Sequence, residues 1–117
     1  MELNELLLSI FKELGIEASQ DEYLGKQKKY VTFTYYDEQP TSWGDNEVTS
    51  DTAYIQIQFI TPKNYDYFAE KKSIRNALER NDFIIINGET FLGDVYSGTD
   101  KLRTCVWNVK YTEKRGE

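Results

Sequence analysis

The run Thr52-Ala53-Tyr54-Ile55-Gln56-Ile57-Gln58-Phe59-Ile60-Thr61 decides the fold. Ala53, Ile55, Ile57 and Phe59 alternate with Tyr54, Gln56, Gln58 and Ile60, a period of two that sorts side chains onto opposite faces of a half-buried antiparallel strand. Pro62 ends it, because proline donates no ladder hydrogen bond. Upstream, residues 30–36 are rich in β-branched and aromatic types, which predicts another strand with Val31, Phe33 and Tyr35 on one face. Downstream, residues 91–96 and 102–111 predict a hairpin about Ser97-Gly98-Thr99-Asp100, with Cys105, Trp107, Val109 and Tyr111 sharing a face. Phe83–Ile86 reads as a short apolar strand closed by a tight turn at Asn87-Gly88.

Two stretches keep helical time instead. Leu3, Leu6, Leu7, Ile10, Phe11 and Leu14 recur at i, i+3, i+4 and i+7, predicting a helix over residues 3–14. Gly15 is placed for its left-handed cap, with Ile16 folding back against it. Tyr67, Phe68, Lys71, Ile74 and Leu78 form a stripe that predicts a second helix over residues 64–80, capped by Asn64 or Asp66. Residues 17–29 read as a polar connection and 37–51 as a long loop holding Pro40, Trp43 and Gly44. The expected class is α+β: a mostly antiparallel sheet of four to five strands with two helices packed on it, in the order α-β-β-α-β-β(-β). The 117 residues suit one domain, with 112–117 as a flexible tail.

Charge and composition exclude several function classes. Fourteen Lys and Arg against twenty Asp and Glu leave a net charge of −6, which opposes general affinity for DNA or RNA. A mean hydropathy of −0.65 with no long apolar run gives no membrane span. The acidic N-terminus does not read as a secretion leader, and the single Cys105 makes no internal disulfide, so a cytoplasmic setting is expected. The charges are unevenly spread. Acids crowd the first helix and its exit (Glu2, Glu5, Glu13, Glu17, Asp21, Glu22) and residues 37–51, while bases cluster at Lys26, Lys28, Lys29, at Lys71, Lys72, Arg75, and near the C-terminus.

A search for chemistry returns no catalytic residue, no metal site and no cofactor. The sequence has no histidine, which removes the commonest general base and metal ligand together. Cys105 faces inward on its strand and reads as a small hydrophobe. Gly25-Lys26 lacks the glycine and hydroxyl of a phosphate loop, and Asp37, Asp45, Glu47 and Asp51 do not match a calcium-loop pattern. Lys28 and Lys29 before a tyrosine-rich strand resemble a base-stacking platform, but one strand face is core and the net charge opposes it. No small-molecule substrate is indicated. What stands out is aromatic abundance: two Trp, nine Tyr and six Phe are more than so small a core can hold. Tyr and Trp supply large contact area for few frozen torsions, so a protein-binding surface is the residue-level expectation. The candidate interface residues are Tyr36, Asp37, Trp43, Asp45, Glu47, Lys71, Lys72 and Arg75, the three bases facing a neighbour's acids.

The layout also resembles a known family. A short amphipathic helix leads to a strand, a polar segment and an alternating strand ending at Thr61-Pro62. Then come Lys71-Lys72-x-x-Arg75-x-x-Leu78 and the closing Asp94-Val95-Tyr96-Ser97-Gly98-Thr99-Asp100-Lys101-Leu102-Arg103. Over nearly its full length the chain looks like the small tail-completion or tail-terminator (head–tail joining) proteins of long-tailed bacteriophages and prophages. The resemblance implies a non-enzymatic ring subunit at the head-proximal end of the tail. Its partners would be copies of itself, the tail tube and the head connector, in the host cytoplasm and then in the virion. A head–tail connector subunit and an acidic inhibitor- or immunity-like cytoplasmic binding module are the alternatives.

Overall fold

A computed structural model describes residues 2–44, 47–62, 65–97 and 100–114. It has the expected class: two helices, α1 (Leu3–Glu13) and α2 (Phe68–Arg80), and a five-stranded, mostly antiparallel sheet. The strands are β1 (Ala18–Gln20), β2 (Tyr30–Gly44), β3 (Glu47–Pro62), β4 (Ile84–Ser97) and β5 (Asp100–Lys114), in spatial order β1-β2-β3-β5-β4. Only β1 runs parallel to its neighbour. It also changes the element order, because three strands, not two, precede α2.

The alternation of β3 holds from Ala53 to Phe59, while Thr52 and Ile60 of the other phase are buried as well. Ala53, Ile55, Ile57 and Phe59 are buried on the face beneath the helices, joined by Val31 and Phe33 from β2 and by Cys105, Trp107 and Val109 from β5. Leu7, Ile10 and Phe11 of α1 and Ile74, Ala77 and Leu78 of α2 close the core from above. Both helices end alike. In α1 the Ile16 N–H reaches the Phe11 carbonyl at 3.0 Å and the Gly15 N–H reaches Lys12 at 3.1 Å, with Gly15 at φ 74°. In α2 the Phe83 N–H reaches Leu78 at 3.0 Å and the Asp82 N–H reaches Glu79 at 3.2 Å, with Asp82 at φ 70°. These bonds satisfy the last carbonyls of each helix, and Ile16 and Phe83 bury themselves against the cap.

Several expectations are corrected. Residues 37–44 and 47–51 are not loop but continue β2 and β3 as a long hairpin, paired from Asp37↔Tyr54 to Gly44↔Glu47 with irregularities near Pro40 and Ser42. Pro40 is tolerated because β1 pairs with β2 only at residues 31–33, so beyond them β2 is an edge strand needing no outward N–H. Asn87-Gly88 is not a turn. Both lie inside β4, beside a register shift at Ile85/Asn87, and Gly88 sits under Trp107, whose Cδ1 would be 3.2 Å from an added Cβ. Helix α2 starts at Phe68, not 64, and Phe68 is 65% exposed, so it leaves the predicted stripe. Asp66 accepts a bond from the Phe68 N–H at 3.3 Å but is not the cap, which falls on Tyr67 with no side-chain hydrogen bond, and Asn64 lies outside the described residues. Strand β5 reaches Lys114, taking in the start of the expected tail.

The molecule is elongated, 57 × 25 × 24 Å, with a radius of gyration of 15.6 Å. A compact chain of this length would give about 13 Å. The extra length follows from strands of 14 to 16 residues, longer than either helix can cover.

Candidate interaction site

Where the sheet outruns α1, its inner face continues uncovered, and a cleft of about 600 Å³ opens there. Glu2, Leu3 and Asn4 at the start of α1 form one wall. The floor is Tyr35 of β2, Ala53 of β3 and Tyr111 of β5. Strand register explains the rest of the lining: Glu38, Ala53 and Tyr111 are cross-strand partners, and one step outward Asp51 faces Glu113. The inner-face phase that carries apolar residues under the helices therefore carries carboxylates once the helices end.

The floor is held rigidly. The Tyr35 hydroxyl donates to Asn4 Oδ1, and Asn4 Nδ2 donates to Gln20 Oε1 at 2.9 Å, tying α1 to β1 and β2. The Tyr35 ring meets Phe33 edge-on with centroids 6.2 Å apart, and Tyr111 leans on Phe83 at 4.8 Å. Burial, together with the charges of Glu2 and Glu113, pushes the Tyr35 hydroxyl above its ordinary value of 10.0. Both carboxylates therefore act at the cleft floor through a common negative field.

The lining holds five carboxylates, from Glu2, Asp37, Glu38, Asp51 and Glu113, and no lysine or arginine. They ring the cleft instead of converging: among the described residues no group of three acids or thiols is placed to hold a metal. A general acid is made by enclosing one carboxyl in apolar surroundings. Glu2, Asp37, Glu38 and Glu113 are all exposed, and the Asp37 carboxylate already accepts the Glu38 N–H at 2.9 Å and Gln39 Nε2 at 2.7 Å. The arrangement suits recognition of a cationic group whose aliphatic stem lies on the tyrosine floor.

The connection from β1 to β2, toward the opposite end of the sheet, carries charges of both signs, with Asp21 and Glu22 exposed at its start. Lys26 and Lys28 are exposed in the connection from β1 to β2, beside Leu24, which is 83% exposed. Tyr23 stacks on Tyr30 at 4.1 Å and its hydroxyl accepts the Gln27 N–H at 3.0 Å, so the connection is braced against β2. Lys29 is engaged internally, 3.0 Å from Glu70 and 3.2 Å from the Tyr65 hydroxyl. Eight residues of β2 separate Tyr30, where the connection ends, from Glu38, about 26 Å at strand rise.

The residues expected to form an interface are not brought together. Asp37 lines the cleft, whereas Tyr36 lies on the opposite sheet face, 52% exposed and 6.1 Å from the Tyr54 ring. Trp43 and Glu47 fall on β2 and β3 near the hairpin end, and Asp45 lies outside the described residues. Lys71 turns inward, donating to Thr90 Oγ1 at 2.7 Å with its ammonium 5.9 Å from the Tyr67 ring. Arg75 pairs with Glu79 at 3.2 Å, and Lys72 is exposed. Sequence reasoning missed Glu2, Glu38, Asp51 and Glu113 as a set. The usable signal was phase: Asp51 continues the Ala53 series and Glu113 the Tyr111 series. No helix among the described residues is long and apolar enough to cross a membrane. No protein-family model matches the chain, and a search of curated proteins finds no similar sequence.

Proposed function

We propose that this chain is a structural assembly subunit, a tail terminator-like ring subunit at the head-proximal end of a phage or prophage tail. It would work in the host cytoplasm during assembly and remain in the virion. The observation that supports this reading is the uneven charge of an elongated molecule, an anionic cleft without lysine or arginine in one half and a connection with exposed Lys26 and Lys28, alongside Asp21 and Glu22, in the other. Such a surface orients protein encounters and fixes their register. The subunit acts by geometry, not by catalysis. Negative-stain electron microscopy of the concentrated protein, with and without isolated tail tubes, tests it: rings or caps on tube ends are expected. Particles that stay single and leave the tubes bare would overturn it. A cap on the head connector instead of the tube would favour a connector subunit.

The cleft also favours a second reading, an acidic binding module that blankets a basic partner protein. Such a module stays monomeric until its target arrives, so the same micrographs separate the two.

A further inference from the structure

We propose that the cleft at the start of α1 is the receptor for the connection at residues 24–28 of a second copy of this chain, joined head to tail. The inference rests on the assembly reading above and names its contact. Two independent features of one molecule match each other. The receptor is concave, about 600 Å³, floored by the Tyr35 and Tyr111 rings and rimmed by five carboxylates. The other is the stretch Leu24–Lys28, in which Leu24 is 83% exposed and is followed by exposed Lys26 and Lys28, with exposed Asp21 and Glu22 preceding it in the same connection. An aliphatic side chain that far into water is matched by the ring floor, and the ammonium groups of Lys26 and Lys28 that follow it are matched by Glu2, Glu38 and Glu113 on the rim. The bracing of the connection by the Tyr23–Tyr30 stack keeps it presented in one shape, which lowers the ordering cost of docking.

The two surfaces lie on opposite ends of the sheet, so a molecule cannot fill its own cleft. The contact is heterologous: each copy offers one cleft and one plug, and repetition closes into a ring or extends as a filament according to the rotation between copies.

A charge-swap experiment on the full chain tests the contact, with association measured by sedimentation velocity up to on the order of 1 mM. The wild type should associate, and more weakly as salt is raised. Lys26→Glu with Lys28→Glu, and separately Glu38→Lys with Glu113→Lys, should each weaken association at least tenfold. All four positions are exposed, and circular dichroism with a thermal melt verifies that both variants fold. Mixed together, the two variants should associate again, since each then offers a plug complementary to the other's cleft. Wild-type association unchanged by either reversal would overturn this contact and leave the assembly reading standing. Association lost in both variants but not restored on mixing would overturn it as well. A wild type that stays monomeric, alone and on tail tubes, would remove both.

Discussion

Two residues with positive φ at the helix ends make opposite predictions. Gly15 and Asp82 occupy equivalent left-handed positions after α1 and α2. Glycine enters that region without steric cost, while a residue with a Cβ is disfavoured there by about 1 kcal/mol. Gly15→Ala should therefore destabilise the protein by about 1 kcal/mol although nothing lies within 4 Å of the added Cβ. Asp82→Gly should stabilise by a few tenths to about 1 kcal/mol, less the extra chain entropy glycine brings to the unfolded state. Both are read from urea midpoints at constant slope. Thr61 supplies a third case. It is 0% exposed, and its hydroxyl has no hydrogen-bond partner among the described residues. An orphaned buried hydroxyl costs about 1–3 kcal/mol, so the near-isosteric Thr61→Val should raise stability by about 1 kcal/mol. A loss instead would mean that the hydroxyl is satisfied in solution.

At the scale of elements, legibility followed how far each segment's own chemistry determined its state. The helices and β3 carried their period in their side chains, and the structure places Leu7, Phe11, Ile57 and Phe59 in the core as that period requires. Phe59→Ala should cost about 3–5 kcal/mol, read by the same urea titration. Strand β1 has no such signal. Ala18, Ser19 and Gln20 are extended because β2 offers them an edge, with the Val31 N–H reaching Glu17 at 2.8 Å and the Asp21 N–H reaching Phe33 at 2.9 Å. Residues 37–51 were misread for a related reason. Their Asp, Ser and Pro content is that of a loop, but pairing with β3, itself backed by β5 as far as Ser50↔Lys114, overrides local preference. Asn87-Gly88 shows the converse error, since a dipeptide that favours a turn is used here for a register shift and a close approach by Trp107. The cleft was illegible as a whole because it depends on where a helix stops relative to three strands. Only Asp37 of its lining was among the expected interface residues, and Glu2 and Glu113 lie at opposite ends of the chain.

For the whole molecule, the shifted tyrosines link surface and core to a single measurable property, stability at alkaline pH. Burial raises the hydroxyls of Tyr23, Tyr30 and Tyr35, all from an ordinary 10.0, and Tyr35 is raised further by Glu2 and Glu113. Burial likewise raises the Cys105 thiol from 9.0, partly countered by its bond from Thr90 and by Lys71 and Arg103. Each of these groups is neutral when protonated, and the folded state holds its proton to higher pH than the unfolded state does. Above the unfolded pKa the native chain therefore binds more protons, and the slope of unfolding free energy with pH is negative. The stabilisation is fully present below pH 9 and is lost as pH rises through the thiol range and then through the phenol range above 10. Urea midpoints measured from pH 8 to pH 11 should fall beyond pH 9 and more steeply beyond pH 10. Tyr35→Phe should flatten the upper part of that fall, because it removes a proton that only the folded cleft retains. Glu113→Gln should flatten it less, since it withdraws one of the two charges acting on the hydroxyl and leaves the burial in place. Equal slopes in wild type and Tyr35→Phe would show that the cleft floor carries no such field, and would weaken the case that the cleft selects a cation.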